Sequence, residues 1–180
     1  MTVRTTDCVI GLGANLGDRR QTLERAVHAI DTLGRRIALS SLYETSPLGP
    51  PQPDFLNAAV RLETDLRPLE LLQKLKSLER ELGRTPGERW GPRVLDLDLL
   101  FVVGQLLNEP TLTVPHPGLA ERAFALVPLL DVLPGAADPM SGEPYALMLE
   151  RLGREGIRLL DGSRRGAWLG RREHEQREQD

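Results

Sequence analysis

The chain has 180 residues, 40% of them hydrophobic and 27% charged, enough apolar material for one globular core. Lys plus Arg total 23 against 26 for Asp plus Glu, a net charge of −3, so no global basic field announces nucleic acid or an anionic membrane, and any phosphate binding has to be local. The single cysteine, Cys8, excludes an internal disulfide framework and a Cys-based zinc site. No apolar run reaches the length of a membrane span, and Met1 to Asp7 is too polar for a signal peptide, so the expected location is cytoplasmic.

Cys8 to Gly13 reads as a short strand, followed by a glycine turn and a helix. Leu16, Leu23, Ala26, Val27 and Ile30 fall on one helical face, with Asp18 as N-cap and Gly34 as stop. The spacing GxGxxxG lacks the third glycine of a dinucleotide fingerprint, and no Gly-Lys-Ser/Thr follows, so glycines easing a tight strand-to-helix turn outweigh a phosphate cradle. A second strand is expected over Ile37 to Tyr43. Glu44 to Asp54 then holds Pro47, Pro50, Pro51 and Pro53, a density that leaves only a loop.

Phe55 to Thr64 returns to strand, with Phe55, Asn57, Ala59 and Arg61 on one face and Leu56, Ala58, Val60 and Leu62 on the other. Asn57 is either a satisfied edge polar or a hydrogen-bonding site residue. Pro68 opens a second helix with an apolar stripe of Leu69, Leu72, Leu75, Leu78 and Leu82, ended by Gly83.

The stretch Arg89-Trp90-Gly91-Pro92-Arg93-Val94-Leu95-Asp96-Leu97-Asp98 breaks a local rule. It leads into a strand in which Leu95, Leu97, Leu99 and Phe101 share one face and Asp96 and Asp98 the other, with Leu100 and Val102. Two carboxylates on adjacent same-face positions stand about 6 to 7 Å apart at the backbone and repel unless a cation lies between them. A divalent metal suits such a pair, since Mg²⁺ takes one or two carboxylates plus waters and substrate phosphates. Arg89 and Arg93, on the turn before the strand, offer guanidinium forks to phosphate oxygens, which points to a nucleoside triphosphate site. The competing reading is a solvated edge strand whose aspartates face water; the flanking arginines and tryptophan weigh against it.

Gly104-Gln105 is expected to turn the chain back as a hairpin to Leu106-Leu107-Asn108. His116 lies between Pro115 and Pro117, either an exposed loop histidine or a site residue. Leu119 to Leu133 reads as a short helix. From about Arg151, arginines alternate with acids and apolar anchors thin out, so the expectation is one folded domain over residues 1–161 and a charged tail over 162–180, partly disordered, which Trp168 could tether. This order predicts an α+β fold, a ferredoxin-like α/β sandwich: a mostly antiparallel sheet with helices packed on one face and the other face open to ligands.

Gly11-Leu12-Gly13-Ala14-Asn15-Leu16-Gly17-Asp18-Arg19, Pro47-Leu48-Gly49-Pro50, Phe55-Leu56-Asn57, the Arg89 to Asp98 stretch and Val114-Pro115-His116 occur in an order and spacing that closely resemble the 6-hydroxymethyl-7,8-dihydropterin pyrophosphokinases of folate biosynthesis, from about Val9 to Pro139. The resemblance implies transfer of pyrophosphate from ATP to the pterin hydroxymethyl group, leaving AMP. It implies two Mg²⁺ ions at Asp96 and Asp98, with Arg84 and Arg93 also in the catalytic set. Glu79, Arg84, Arg89, Trp90, Arg93, His116 and Arg122 match nucleotide-site positions. Thr45, Leu48, Phe55, Asn57, Asp96 and Phe124 match pterin-site positions, with the ring held between Phe55 and Phe124.

Two departures stand out. Pro117 replaces a tyrosine found in some members, and the loop from Arg84 to Glu88 is a residue short. The implied partners are the two small substrates, without nucleic acid or membrane, for a monomer or homodimer. A ferredoxin-like RNA-binding module is the rival from another class, disfavoured by three Phe, two Tyr and a negative net charge. A catalytically dead interaction protein is a third reading, against which intact Asp96, Asp98 and Arg93 argue.

Overall fold

The computed structural model describes residues 5–85, 87 and 91–170. The elements in chain order are β1 (Thr6–Ala14), α1 (Arg19–Ile30), β2 (Arg35–Leu39), β3 (Tyr43–Thr45), β4 (Phe55–Thr64), α2 (Pro68–Glu81), β5 (Asp96–Val102), β6 (Leu107–Glu109), β7 (Leu112–Val114), α3 (Ala123–Val132), α4 (Tyr145–Leu152) and β8 (Ile157–Leu159). The main sheet runs β5-β1-β4-β3-β8, with β2 also paired to β4, and every pairing is antiparallel. With β2 and β3 counted as one interrupted strand, the order fourth-first-third-second is that of the expected ferredoxin-like sandwich.

Local chemistry explains the helix starts. The Asp18 carboxylate accepts the Gln21 N–H at 3.0 Å, capping α1, whose buried face is Leu23, Ala26, Val27 and Ile30. Leu16, expected on that face, precedes the helix and is 36% exposed. Pro68 begins α2, and the Glu70 carboxylate reaches back to accept the Arg67 N–H at 2.9 Å. The stripe of α2 centres on Leu71, Leu75 and the carboxylate Glu79, with Leu69, Leu72, Leu78 and Leu82 partly buried around it.

The sheet separates two cores. Cys8, Ile10, Leu12, Leu56, Ala58, Val60, Leu62, Leu95, Leu97 and Leu99 point to the side that carries α1 and α2. Val9, Ala59, Leu100 and Phe101 point to the other side and pack with α3 and α4. The one-face expectation holds for α1 and α2; α3 and α4 add a partial layer opposite, so the second face is open over only part of its area. Phe101 changes sides relative to its expected alternation because the β1–β5 register shifts between Val9 and Ile10, leaving Leu100 as an extra residue. Phe101 then meets Tyr145 edge-on, ring centroids 6.0 Å apart.

Other differences have plain causes. The second strand breaks at Ser40-Ser41-Leu42, where the Ser40 hydroxyl bonds the Ser41 carbonyl and the Ala59 N–H in place of a regular ladder. The turn at Gly104 forms, yet β6 pairs with β7 rather than folding back on β5. The helix expected over Leu119 to Leu133 is a 3₁₀ turn (Leu119–Glu121) followed by α3. The expected tail from Gly162 is docked as far as Gly170: Ser163 is fully buried, and Trp168, 1% exposed, donates from Nε1 to the Ser40 carbonyl at 2.9 Å. Arg20 bonds the Trp168 carbonyl at 3.1 Å, tying the segment to α1. Residues 171–180 lie outside the described residues. Among the described residues no helix is long and apolar enough to cross a membrane.

Candidate active site

The cleft opens on the α3 face of the sheet, and its floor is made by glycine. Gly11 and Gly13 sit inside β1, within the strand expected from Cys8 to Gly13, and Gly17, with φ 64°, serves the turn that follows. Gly13 lies opposite Asn57 on β4 and opposite Asp96 on β5, and Gly11 lies opposite Asp98. A Cβ on Gly13 would stand 3.0 Å from Asn57 Oδ1, and one on Gly11 would stand 2.8 Å from Leu100 Cδ1. The bare backbone leaves a cleft of about 360 Å³, walled by Phe124, Ala125 and Pro128 of α3.

One end of the cleft is flat and apolar with a polar edge. Phe55 opens β4, and Phe124 sits in the first turn of α3. Between the strands, Asn57 Nδ2 donates to Thr45 Oγ1 at 2.6 Å, and both residues are buried. Leu48, 56% exposed, reaches the rim from the proline-rich loop. Arg122, whose carbonyl accepts from Ala125 and Leu126 at the start of α3, also lines the cleft.

The other end is charged. Asp96 Oδ1 accepts from Arg84 at 2.9 Å, and Arg93 Nη1 stands 3.2 Å from each oxygen of the same carboxylate. Lys76 Nζ donates to Glu79 Oε1 at 2.8 Å and to the Leu97 carbonyl at 2.7 Å, and reaches Asp98 Oδ1 at 3.4 Å. Three cations thus face three carboxylates, which offsets much of the cost of partial burial. Glu79, 2% exposed, does not line the cleft; it lies behind β5, accepts the Leu97 N–H at 2.6 Å, and pairs with Arg84 and Lys76. His116 lines the cleft, and its backbone N–H donates to the Leu100 carbonyl at 2.8 Å.

Of the residues singled out in the sequence, Thr45, Leu48, Phe55, Asn57, Arg84, Arg93, Asp96, Asp98, His116, Arg122 and Phe124 meet in this one cleft, and Glu79 stands behind it. Arg89 and Trp90 lie outside the described residues. Sequence reasoning missed Lys76, whose only local signal is its i,i+3 spacing to Glu79. It also missed the floor role of Gly11 and Gly13.

Asp96 and Asp98 offer hard carboxylate oxygens on one face. Among the described residues no group of three or more His, Cys, Asp or Glu side chains is placed to hold an ion. Two carboxylates beside an open cleft fit Mg²⁺, which completes its shell with water and substrate oxygens, and do not make an all-protein zinc cage.

A cleft with aromatic side chains at one end and paired cations and carboxylates at the other suits a planar group beside an anionic one. The chain belongs to the family described as 7,8-dihydro-6-hydroxymethylpterin-pyrophosphokinase (HPPK), whose sequence model matches residues 9–134. A protein of Pseudomonas aeruginosa named 2-amino-4-hydroxy-6-hydroxymethyldihydropteridine pyrophosphokinase is 43% identical over 157 residues, 86% of this chain and 96% of that protein. The protein of the same name from Synechocystis is 41% identical over 146 residues, 80% of this chain and 75% of that protein. Among solved structures, Plasmodium falciparum HPPK-DHPS superposes with a TM-score of 0.69 over 87% of this chain at 16% identity, a likeness of fold. This chain spans about half of that longer one, 47% of its length.

Proposed function

We propose that the chain transfers pyrophosphate from ATP to the hydroxymethyl oxygen of 6-hydroxymethyl-7,8-dihydropterin, with Mg²⁺, in folate biosynthesis. The observation that carries this reading is the shared floor: Asn57, Gly13 and Asp96 lie in one row across three adjacent strands. Strands stand about 4.8 Å apart, so the polar edge of the flat slot and the carboxylates are about 10 Å apart, the span of a pterin whose substituent meets a triphosphate.

Phe55 and Phe124 stack on the pterin, and Asn57 with Thr45 reads its hydrogen-bonding edge. Leu48 covers the ring from the rim, and Asp96 faces the side that bears the hydroxymethyl group. The hydroxymethyl oxygen attacks the β-phosphorus, the bond from that phosphorus to the oxygen shared with the α-phosphorus breaks, AMP leaves with the electron pair, and the hydroxyl proton passes to solvent. Arg84 and Arg93 swing from Asp96 to the triphosphate and stabilise charge on the leaving oxygen. Glu79 holds Arg84 and Lys76 in reach of that charge. His116, Arg122, Arg89 and Trp90 complete the nucleotide side. Asp96 and Asp98 would hold two Mg²⁺ ions, which would supply charge neutralisation along the triphosphate.

The test is product analysis. ATP and Mg²⁺ are incubated with and without 6-hydroxymethyl-7,8-dihydropterin, and nucleotide and pterin products are identified by mass. Pterin-dependent AMP with a diphosphorylated pterin is expected. ADP with a monophosphorylated pterin, or no nucleotide turnover, would overturn the reaction assigned here.

A further inference from the structure

Two segments bound the cleft. The proline-rich loop 46–54 brings Pro47 and Leu48 to the flat end, and the stretch before β5 brings Gly91 and Arg93 to the charged end. They are far apart in sequence, and one buried side chain joins them. Asn15, the residue after β1, is 2% exposed. Its Oδ1 accepts the Arg93 N–H at 2.8 Å, and its own N–H donates to the Arg93 carbonyl at 3.1 Å. Its Nδ2 donates to Gln52 Oε1 at 2.9 Å and to the Pro53 carbonyl at 3.0 Å.

An asparagine amide carries two N–H donors and one carbonyl acceptor. Here both donors are committed to the loop and the acceptor to Arg93, so the residue type matches the site on all three counts. Aspartate would lack both donors, and leucine of the same shape would remove the hydrogen bonds to both segments. Arg19 holds the foot of the same loop from another direction, bonding the Asp54 carbonyl at 2.7 Å, so the loop stays attached to the fold when Asn15 is altered.

We infer that Asn15 is a positioning residue that couples the two ends of the cleft. Drawing Arg93 onto a triphosphate moves its backbone against Asn15, and Asn15 passes the displacement to Gln52 and Pro53 and so to the rim over the flat slot. Such coupling is reciprocal, because a single free energy links the two binding events. The inference rests on the two-substrate reading above.

The test is a fluorescence titration with 6-hydroxymethyl-7,8-dihydropterin, in the absence and presence of Mg²⁺ and α,β-methylene ATP. In the parent chain the nucleotide analogue is expected to tighten pterin binding by about fivefold or more. Asn15→Ala is expected to bring that ratio below about twofold, while each ligand alone binds within about threefold of the parent. Gln52→Ala, a change on a surface loop that leaves the fold and the Pro53 contact in place, gives an intermediate ratio. A parent ratio near one, or a parent-like ratio in either variant, overturns the coupling. Loss of melting temperature and of both affinities with the ratio preserved would make Asn15 merely structural and overturns it too. A parent chain that binds neither ligand overturns the two-substrate reading instead, and with it the inference, so the two failures carry different signatures.

Discussion

The two faces of the sheet are built from alternate residues of the same strands, and they could hardly differ more. Toward α1 and α2, β1, β4 and β5 present Cys8, Ile10, Leu12, Ala58, Val60, Leu62 and Leu97, all but closed to solvent. Toward α3, the same strands present Gly11, Gly13, Asn57, Asp96 and Asp98. One parity is closed along its whole length, while the other is divided between a second core around Val9, Ala59, Leu100 and Phe101 and the cleft, so the functional surface is made by giving up packing on part of one face. The closed face needs aliphatic volume at every position. The open face needs its central strand empty, so that its neighbours can reach over it.

The largest effect that would break this division is on the open face. Asp98→Ala is expected to lower turnover by about 10² to 10³-fold or more, with a melting temperature close to the parent, because Lys76 keeps its bonds to Glu79 and the Leu97 carbonyl. Steady-state assay and thermal denaturation of the same preparation check both halves. Near-parent activity would remove Asp98 from the metal site.

Leu97, one residue away and fully buried on the closed face, is expected to behave in the opposite way. Leu97→Ala should cost about 2 to 5 kcal/mol of stability by urea unfolding, with turnover near the parent value well below its melting temperature. Gly13→Val sharpens the comparison further. Its Cβ would crowd Asn57 Oδ1, so pterin affinity should fall by about tenfold or more, while stability moves by about 1 kcal/mol or less because valine suits a strand. Unchanged affinity would mean that the floor need not be bare.

The smallest effect lies at Glu44 on β3, beside the edge strand β8, where its side chain meets Arg19 at the start of α1. Arg158 and then Arg19, beside Glu44, hold its carboxyl below the usual carboxylate range. A depressed value in the folded state adds stability above the ordinary carboxylate pKa, and that increment is lost as pH falls through the folded value. The melting-temperature advantage of the parent over Glu44→Gln should therefore be small at about pH 6, given the exposed Arg158, and shrink as pH falls below the ordinary carboxylate range. An advantage that grows on acidification would contradict the pairing.

How much of this was legible in the sequence follows from which interactions are local. The limits of β4, the cap of α1 by Asp18 and the parity of β4 were readable because alternation and capping act over a few residues. The β5 bulge was not, since Leu100 is displaced by a register shift against β1, a partner some ninety residues away. The floor role of Gly11 and Gly13 was not legible, because a strand glycine's use depends on what passes over it, here Asn57 and Leu100. The docked segment around Trp168 looked like a charged tail because its anchors, Ser40 and Arg20, are remote. The residues that gather in the cleft were legible through motif resemblance. Asp96 and Asp98 also stood out on physical grounds, as carboxylates breaking a strand's rule. Lys76 had no such mark.

The most direct test of the account is the distance between the two ligands on the glycine floor. With Mn²⁺ in place of Mg²⁺ and α,β-methylene ATP bound, the nuclear relaxation of the pterin hydroxymethyl protons reports how near the metal lies. The account predicts strong enhancement, corresponding to about 10 Å or less across the Asn57–Gly13–Asp96 row, and its loss in Asp98→Ala. A bound pterin whose hydroxymethyl protons feel no metal would place the two ligands in separate sites and contradict the shared floor.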